Sequence, residues 1–178
     1  KVSMNFLHLR AVYAADQGKF DEALSFMDRM AALYPNSPHY VRSGRSPVLI
    51  TMDDLGRAEL ELRAIVAGEE ETERVYAAMG LTGLYLTQGM LQMAKEEAQK
   101  CIELAESLGD PGWVGMSHFN KACIDRLTGD LAEANRQVNL ACPDVGQAQI
   151  YDLGALHLKA QIALEMGRME DFEKQLVG

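Results

Sequence analysis

Apolar residues recur along this chain at the three- and four-residue spacing that places them on one face of an α-helix. One example lies between residues 20 and 30, where Phe20, Ala23, Leu24, Met27 and Met30 follow that spacing. The chain has no run of four or more residues with the β-branched alternation of a half-buried strand. The pattern therefore predicts an all-α fold.

A short sequence pattern, which we call the landmark, recurs along the chain at a nearly constant interval. A glycine is followed two residues later by a large apolar residue and five residues later by alanine, in the copies Gly18/Phe20/Ala23, Gly89/Leu91/Ala94 and Gly129/Leu131/Ala134. Two weaker copies are Asp53/Leu55/Ala58 and Gly167/Met169/Phe172. The last residues of the five landmarks are 35, 36, 40 and 38 residues apart. This period predicts five structural repeats.

Each repeat is expected to be a pair of helices, because a segment with helical spacing lies on either side of each landmark. The landmark glycine suits a tight turn with positive φ. Prolines between the repeats are expected to stop helices; they are Pro35, Pro38, Pro111 and Pro143. The predicted units are about 4–37, 39–72, 75–110, 115–145 and 153–178, within a single domain spanning 1–178.

Local signals refine this picture. Asp130 with Glu133 is expected to form a capping box, and Asp53 or Asp54 is expected to cap a helix. Ser43, Gly44, Ser46 and Pro47 predict a shortened or distorted first helix in the second unit. The acidic run from Glu69 to Glu73 is expected to open the first helix of the third unit, where the helix dipole favours carboxylates.

A single helical hairpin cannot bury both of its apolar faces, so the hairpins are expected to stack. Small residues should allow close helix packing, at Ala11, Ala23, Ala94, Ala122, Ala134 and Ala160. Larger residues should fill the space between neighbouring helices, at Phe20, Leu55, Leu91, Leu131 and Met169.

The period, the two-helix unit and the order of the landmarks resemble the tetratricopeptide repeat (TPR) family. The first unit matches best: Ala11 takes the place of the first small residue, Gly18 the turn, Ala23 the second small residue and Pro35 the end. The early Trp of the family is missing, and the steps of 35–40 residues are similar to divergent repeats in large bacterial regulators. The resemblance implies a right-handed α-solenoid of about five TPR-like hairpins.

Composition limits the class of partner. Lys and Arg number 17 against 26 Asp and Glu, which gives a net charge of −9. An acidic protein is a poor match for nucleic acid or an anionic membrane, so neither is expected as a direct partner.

Three widely spaced cysteines suggest buried thiols in a reducing compartment, so a cytoplasmic location is expected. Because the sequence begins at Lys1, we expect a piece of a longer protein.

Motifs for catalysis are absent from the sequence. It contains no GxSxG, GxxxxGK[ST], HExxH or GxGxxG motif. The four histidines are His8, His39, His118 and His157; none has ligand spacing, and they are expected at the surface or in a groove. We therefore expect a protein that is not an enzyme and that needs no metal or cofactor.

The TPR resemblance implies that the first helix of each pair lines a concave groove that binds a peptide or a helix. The predicted groove residues are Asn5, His8, Tyr76, Met79, Leu86, Met116, Phe119, Asn120, Arg126, His157 and Gln161. Some TPR proteins grip a chaperone's terminal carboxylate with lysine, asparagine and arginine. The corresponding positions here hold His8, Val12, Ser43, Tyr76 and Gly80, which disfavours a chaperone-tail adaptor.

Two functions therefore stay open. The first is a protein–protein interaction scaffold that binds a segment of a partner in the groove. The alternative is an effector-sensing segment of a larger bacterial signalling or transcription regulator. Self-association through the terminal hairpins, giving a homodimer, is a further expectation, because solenoids need covered ends.

Overall fold

The computed structural model describes residues 3–35, 38–142, 150–168 and 170, without the side chains of residues 5, 38–43 and 150–153. These residues form helices and no strand, which confirms the predicted all-α fold. The helices are α1 Met4–Asp16, α2 Phe20–Leu33, α3 Pro38–Thr51, α4 Leu55–Val66, α5 Glu71–Thr87, α6 Leu91–Leu108, α7 Pro111–Leu127, α8 Leu131–Ala141 and α9 Ile150–Glu165.

The helices alternate along the chain as the repeat predicts. The first helices of the predicted pairs are α1, α3, α5, α7 and α9, and the second helices are α2, α4, α6 and α8. The second helix of the fifth pair, with Met169 and Phe172, lies outside the described residues, as does Pro143. The chain divides into two compact units, Lys1–Gln88 and Gly89–Gly178.

In the first unit each helix packs against the next, and α3 also contacts α1 and α5. A buried cluster joins α1, α2 and α3 through residues that include Leu7, Ala11, Met27, Met30 and Val48. The small residues of α1 bring the helices close together, while the methionines of α2 fill the space between them.

In the second unit α7 packs against α6, α8 and α9, and α8 also packs against α9. Its buried cluster includes Ala122 on α7, Ala134 and Val138 on α8, and Leu158 and Ile162 on α9. One hairpin and the helix that follows it therefore share a core, as expected for stacked repeats.

The predicted turns have the predicted backbone. Gly18, Gly89, Gly129 and Gly167 all have φ between 68° and 82°. Asp53, which replaces glycine in the second landmark, has φ 61°. The left-handed region costs an L-residue about 1–2 kcal/mol, and aspartate is among the residues that tolerate it best. The turn geometry is thus kept even where the glycine is missing.

The predicted small positions are buried. Ala11, Ala23, Ala94, Ala122 and Ala134 have no exposed surface, and Ala160 is half-buried. The larger landmark residues are less uniform. Phe20, Leu55 and Leu131 are half-buried, whereas Leu91 is exposed, so the prediction that Leu91 fills a space between helices is wrong.

Only part of the predicted helix capping is formed. The Asp130 carboxylate accepts a hydrogen bond from the Glu133 amide at 3.2 Å. The Glu133 carboxylate, however, accepts from Arg136 and Gln137, and the Asp130 amide donates to the Asp125 carbonyl, so the reciprocal half of the capping box is not formed. Asp54 directly precedes α4 but its side chain makes no capping hydrogen bond.

Helix α3 runs without interruption through Pro47. At 14 residues it is shorter than α5 and α7, with 17 each, but longer than α1, with 13, so the predicted shortening or distortion of this helix is not borne out. Pro47 itself is exposed, while the neighbouring Val48 and Leu49 are buried. Their burial favours the helix at a position where proline alone would oppose it.

The acidic run behaves as predicted, with Glu71 and Glu73 in the first turn of α5.

Candidate partner-binding surface

Four predicted groove residues lie on α7 at helical spacing. Met116, Phe119, Asn120 and Arg126 are all half-buried, so each keeps part of its side chain accessible. On α9, His157 is exposed and Gln161 is half-buried. A spacing of three or four residues places such side chains on neighbouring parts of a helix surface.

Two contacts bring α7 and α9 together at this surface. A Cβ built on Gly154 of α9 would lie 3.5 Å from Cζ of Phe119, so the phenyl ring rests against α9 there. Further along, the Arg126 guanidinium donates to the Glu165 carboxylate, with Nε 2.9 Å from Oε1. Gly154, His157, Gln161 and Glu165 share one face of α9 by their spacing. Phe119, Arg126, His157 and Gln161 therefore belong to one surface. Met116 and Asn120 belong to it as well, because they lie beside Phe119 at helical spacing on α7. We call these six residues the α7/α9 surface.

Side chains at the α7/α9 surface also help to stabilise the fold of the second unit. Phe119 and Cys123 pack against the buried cluster of the second unit. Burial raises the pKa of the Cys123 thiol, which disfavours the reactive thiolate. The Arg126 guanidinium already has a carboxylate partner in Glu165 and is not a free cationic handle. The predicted groove residues did not include Gly154 and Glu165. Both lie at helical spacing from the predicted residue Gln161, and this spacing could have identified them.

In the first unit, Tyr76, Met79 and Leu86 are half-buried on one face of α5. We call this the α5 face. His8 lies on α1 and is half-buried beside α3, where a Cβ on Gly44 would be 3.1 Å from its Nδ1. Burial lowers the pKa of His8, which favours the neutral imidazole. The backbone of Asn5 is in α1, but its side chain lies outside the described part.

The α5 face and the α7/α9 surface lie in different units. Each is a continuous set of partly accessible side chains within its own unit. The single groove that would include both stays a prediction.

A buried charge cluster lies on α7 away from the predicted groove positions. The Lys121 ammonium is 2.7 Å from Oδ2 of Asp125, and both residues are buried. Lys95 of α6 approaches the other oxygen of Asp125 at 2.9 Å. Sequence reasoning missed this cluster, because Lys and Asp four residues apart usually form an exposed pair on a helix.

His118 was expected at the surface or in a groove, and that prediction is wrong. The residue is buried, and its Nδ1 lies 2.6 Å from Oε1 of Gln137 on α8. Gln137 in turn donates to the Glu133 carboxylate at 2.7 Å. His118 therefore joins α7 to α8 through a hydrogen-bonded chain.

The Glu133 carboxylate should make stability depend on acid. Hydrogen bonds from Arg136 and then Gln137 lower its pKa from 4.5 to about 2 in the folded protein. A carboxyl group with a lowered folded pKa stabilises the fold above its unfolded pKa, and this contribution is lost as pH falls from about 4.5 towards 2. We expect Glu133→Gln to flatten the pH dependence of the free energy of unfolding in that interval, as measured by urea titrations. An unchanged pH slope in the variant would contradict the assignment.

The described residues hold no group of three or more His, Cys, Asp or Glu placed to bind a metal. Cys101 and Cys142 are buried as predicted, and no disulfide joins the three cysteines. Burial raises the pKa of the Cys101 thiol to about 11. Within the described part of the chain, no helix is both long and apolar enough to cross a membrane.

Comparisons with known proteins bear on the family. The tetratricopeptide repeat model matches residues 74–108, which include most of α5 and all of α6. No curated protein matches the sequence.

Solved structures with similar folds extend the comparison to almost the whole chain. One is a protein of Podosopora anserina described as a kinesin light chain with nearly identical TPR-like repeats, with TM-score 0.68 and 14% identity over 97% of this chain and 91% of that one. A single-substitution variant of that protein aligns over the same shares of both chains with TM-score 0.69 and 14% identity. The apo form of RapI aligns with TM-score 0.73 and 13% identity over 98% of this chain and 68% of its own.

These findings confirm the predicted fold class, an α-solenoid of TPR-like hairpins, and the resemblance on which it was based. Residues 74–108 match the tetratricopeptide repeat model, and the chain has the fold of TPR-like repeat proteins.

Proposed function

We propose that this chain is a non-enzymatic interaction module that binds a segment of a partner protein on its first helices. Support comes first from the fold, because TPR repeats typically mediate binding between proteins. The observation that carries the proposal is the α7/α9 surface, where the Phe119–Gly154 and Arg126–Glu165 contacts bring residues of two first helices side by side.

Accessibility of the predicted residues supports the same conclusion. Ten of the eleven predicted groove residues, all except Asn5, have a described side chain. None of these ten side chains is buried. Apolar side chains that stay partly exposed at neighbouring positions are typical of sites that bind other proteins. On α7 these are Met116 and Phe119, with Asn120 beside them as a polar group that can donate and accept hydrogen bonds.

The chemistry of this surface indicates the kind of segment it takes. Because the Arg126 guanidinium is paired with Glu165, it is not open to a free carboxylate of the partner. Met116 and Phe119 favour a segment with large apolar side chains, while Asn120, His157 and Gln161 can bond its backbone. The expectations that the chain binds no nucleic acid or membrane directly, is cytoplasmic and forms a homodimer through its terminal hairpins stay proposals.

Capture from a lysate of the source organism tests this function. We expect the wild-type chain and Leu140→Glu to retain the same protein, and Met116→Glu to lose it. Leu140 is the matched control, since it is an exposed apolar residue of the same unit on the second helix α8. Circular dichroism should show equal helix content for all three proteins.

Equal capture by all three proteins would place binding elsewhere and contradict the proposed surface. Failure of the wild type to retain any protein would favour the effector-sensing alternative.

A further inference from the structure

The Arg126–Glu165 ion pair lies beside the α7/α9 surface and uses only one of the two carboxylate oxygens. Both Nε and Nη2 of Arg126 donate to Oε1 of Glu165, at 2.9 and 2.5 Å. Among the described residues, Arg126 alone forms a hydrogen bond or an ion pair with this carboxylate. The Glu165 side chain is 38% exposed. Its second oxygen is therefore available to a donor from a partner.

A carboxylate of the same unit shows that one acid can hold two cations. Asp125 binds Lys121 through Oδ2 at 2.7 Å and Lys95 through Oδ1 at 2.9 Å. An arginine that paired with both oxygens of Glu165 would leave no place for a second cation. Since Arg126 uses one oxygen, the geometry permits a second cation at the other.

The position of Glu165 in its helix increases the attraction for a cation. Glu165 is the last residue of α9, and the last turn of this helix contains no basic residue. The helix dipole opposes a carboxylate at the C-terminus and favours a cation there. A positive group beside Glu165 would therefore be attracted both by the carboxylate and by the end of α9.

An exposed apolar side chain lies next to this carboxylate in the sequence. Leu164 comes four residues after Ala160, the small residue of its repeat. Arg126 has the same spacing from Ala122 on α7, so Leu164 takes the equivalent groove position on α9. It is 67% exposed. Lysine and arginine pack their apolar stems on such surfaces while their charged ends reach a polar group, so the site favours a long cationic side chain.

We propose that the segment bound at the α7/α9 surface carries a lysine or arginine whose charged group binds the Glu165 carboxylate. This inference rests on the function proposed above and names the chemistry of the partner. The net charge of −9 attracts a segment of the same kind. An acidic side chain here would have to displace Glu165 from Arg126 and would then lie beside its carboxylate. Glu165 therefore determines specificity, because it selects basic segments and rejects acidic ones.

Helix geometry sets the distance between this cation and the apolar part of the segment. Phe119 and Met116 lie seven and ten residues before Arg126 on α7. With a rise of about 1.5 Å per residue, the separation is about 10–15 Å along the helix axis. An extended chain covers this distance in about three to five residues. We therefore expect an extended segment to carry its large apolar residue and its basic residue that far apart.

Selection from a displayed library of random peptides tests this preference. On the wild-type chain, the enriched peptides should share a lysine or arginine three to five residues from a large apolar residue. Glu165→Lys should instead enrich peptides with aspartate or glutamate at that place. Glu106→Lys is the matched control, because Glu106 is exposed on the second helix α6 of the same unit, and it should enrich the same peptides as the wild type. Circular dichroism should show equal helix content for all three proteins.

Fluorescence anisotropy with one enriched peptide measures the contact itself. Glu165→Gln should weaken binding about tenfold, the factor that one hydrogen bond between charged groups supplies. Replacing the basic residue of the peptide with glutamine should weaken it by a similar factor. Both changes together should cost little more than either one, since they remove the same contact. Glu106→Gln should bind like the wild type.

The possible outcomes separate this inference from the proposed function. Enriched peptides that share no basic residue, or losses that simply add in the affinity measurements, would overturn the inference and leave the proposed function standing. A wild-type chain that enriches no peptide would contradict the proposed function and the inference with it.

Discussion

Replacing Asp125 with alanine is expected to lower the free energy of unfolding by about 3–5 kcal/mol, because the change leaves a buried lysine without its counter-charge. Lys121 is only 4% exposed, and its ammonium lies 2.7 Å from the Asp125 carboxylate. Lys95 would also lose a partner at 2.9 Å, but it is partly exposed and can turn towards water. The loss should be measured by urea denaturation.

Two further variants show whether burial is the cause. Arg57→Ala removes an exposed pair with Glu61 on α4 and should cost about 0–1 kcal/mol. The double change Lys121→Met/Asp125→Leu removes both buried charges and should restore most of the lost stability, since a buried ion pair and a packed apolar pair are often similar in energy. A double variant as unstable as Asp125→Ala would contradict this explanation.

Replacing Ala134 with glutamate is expected to cost more than about 4 kcal/mol and to unfold the second unit. Ala134 has no exposed surface and lies in the cluster that joins α7, α8 and α9. The longer side chain would overfill this packed space, and its carboxylate would be desolvated there.

Thermal unfolding followed by circular dichroism measures this loss. Ala132→Glu is the matched control, because Ala132 is exposed on the same helix and the change should stay within about 0.5 kcal/mol of wild type. Similar melting curves for the two variants would show that the assignment of Ala134 to the core is wrong.

The repeat could be predicted because its signals are local. A positive φ favours glycine, so the landmark glycines indicated the turns. The repeat pattern also assigned Asp53 to such a turn, and its φ is 61°. Small residues at fixed positions predicted where helices approach each other, and Ala94 and Ala122 are buried accordingly. Each of these features depends on only a few neighbouring residues.

The charge cluster and the contacts of the α7/α9 surface could not be predicted in this way. Lys121 and Asp125 would form an ordinary exposed pair on an isolated helix, and their burial depends on the packing of α7 in the second unit. Arg126 has the helical spacing of a groove residue, but its pairing with Glu165 joins residues 39 positions apart. Periodicity predicts which face a side chain occupies, whereas its partners follow from the packing of distant helices.

The most direct test of the interaction surface is NMR chemical-shift mapping with a binding segment of the captured partner. The segment is added in steps to isotope-labelled chain, and amide shifts are followed along α5 to α9. The proposed function predicts that the largest shifts fall at Met116, Asn120, His157 and Gln161 on α7 and α9. Shifts concentrated instead on the second helices α6 and α8 would contradict binding by the first helices.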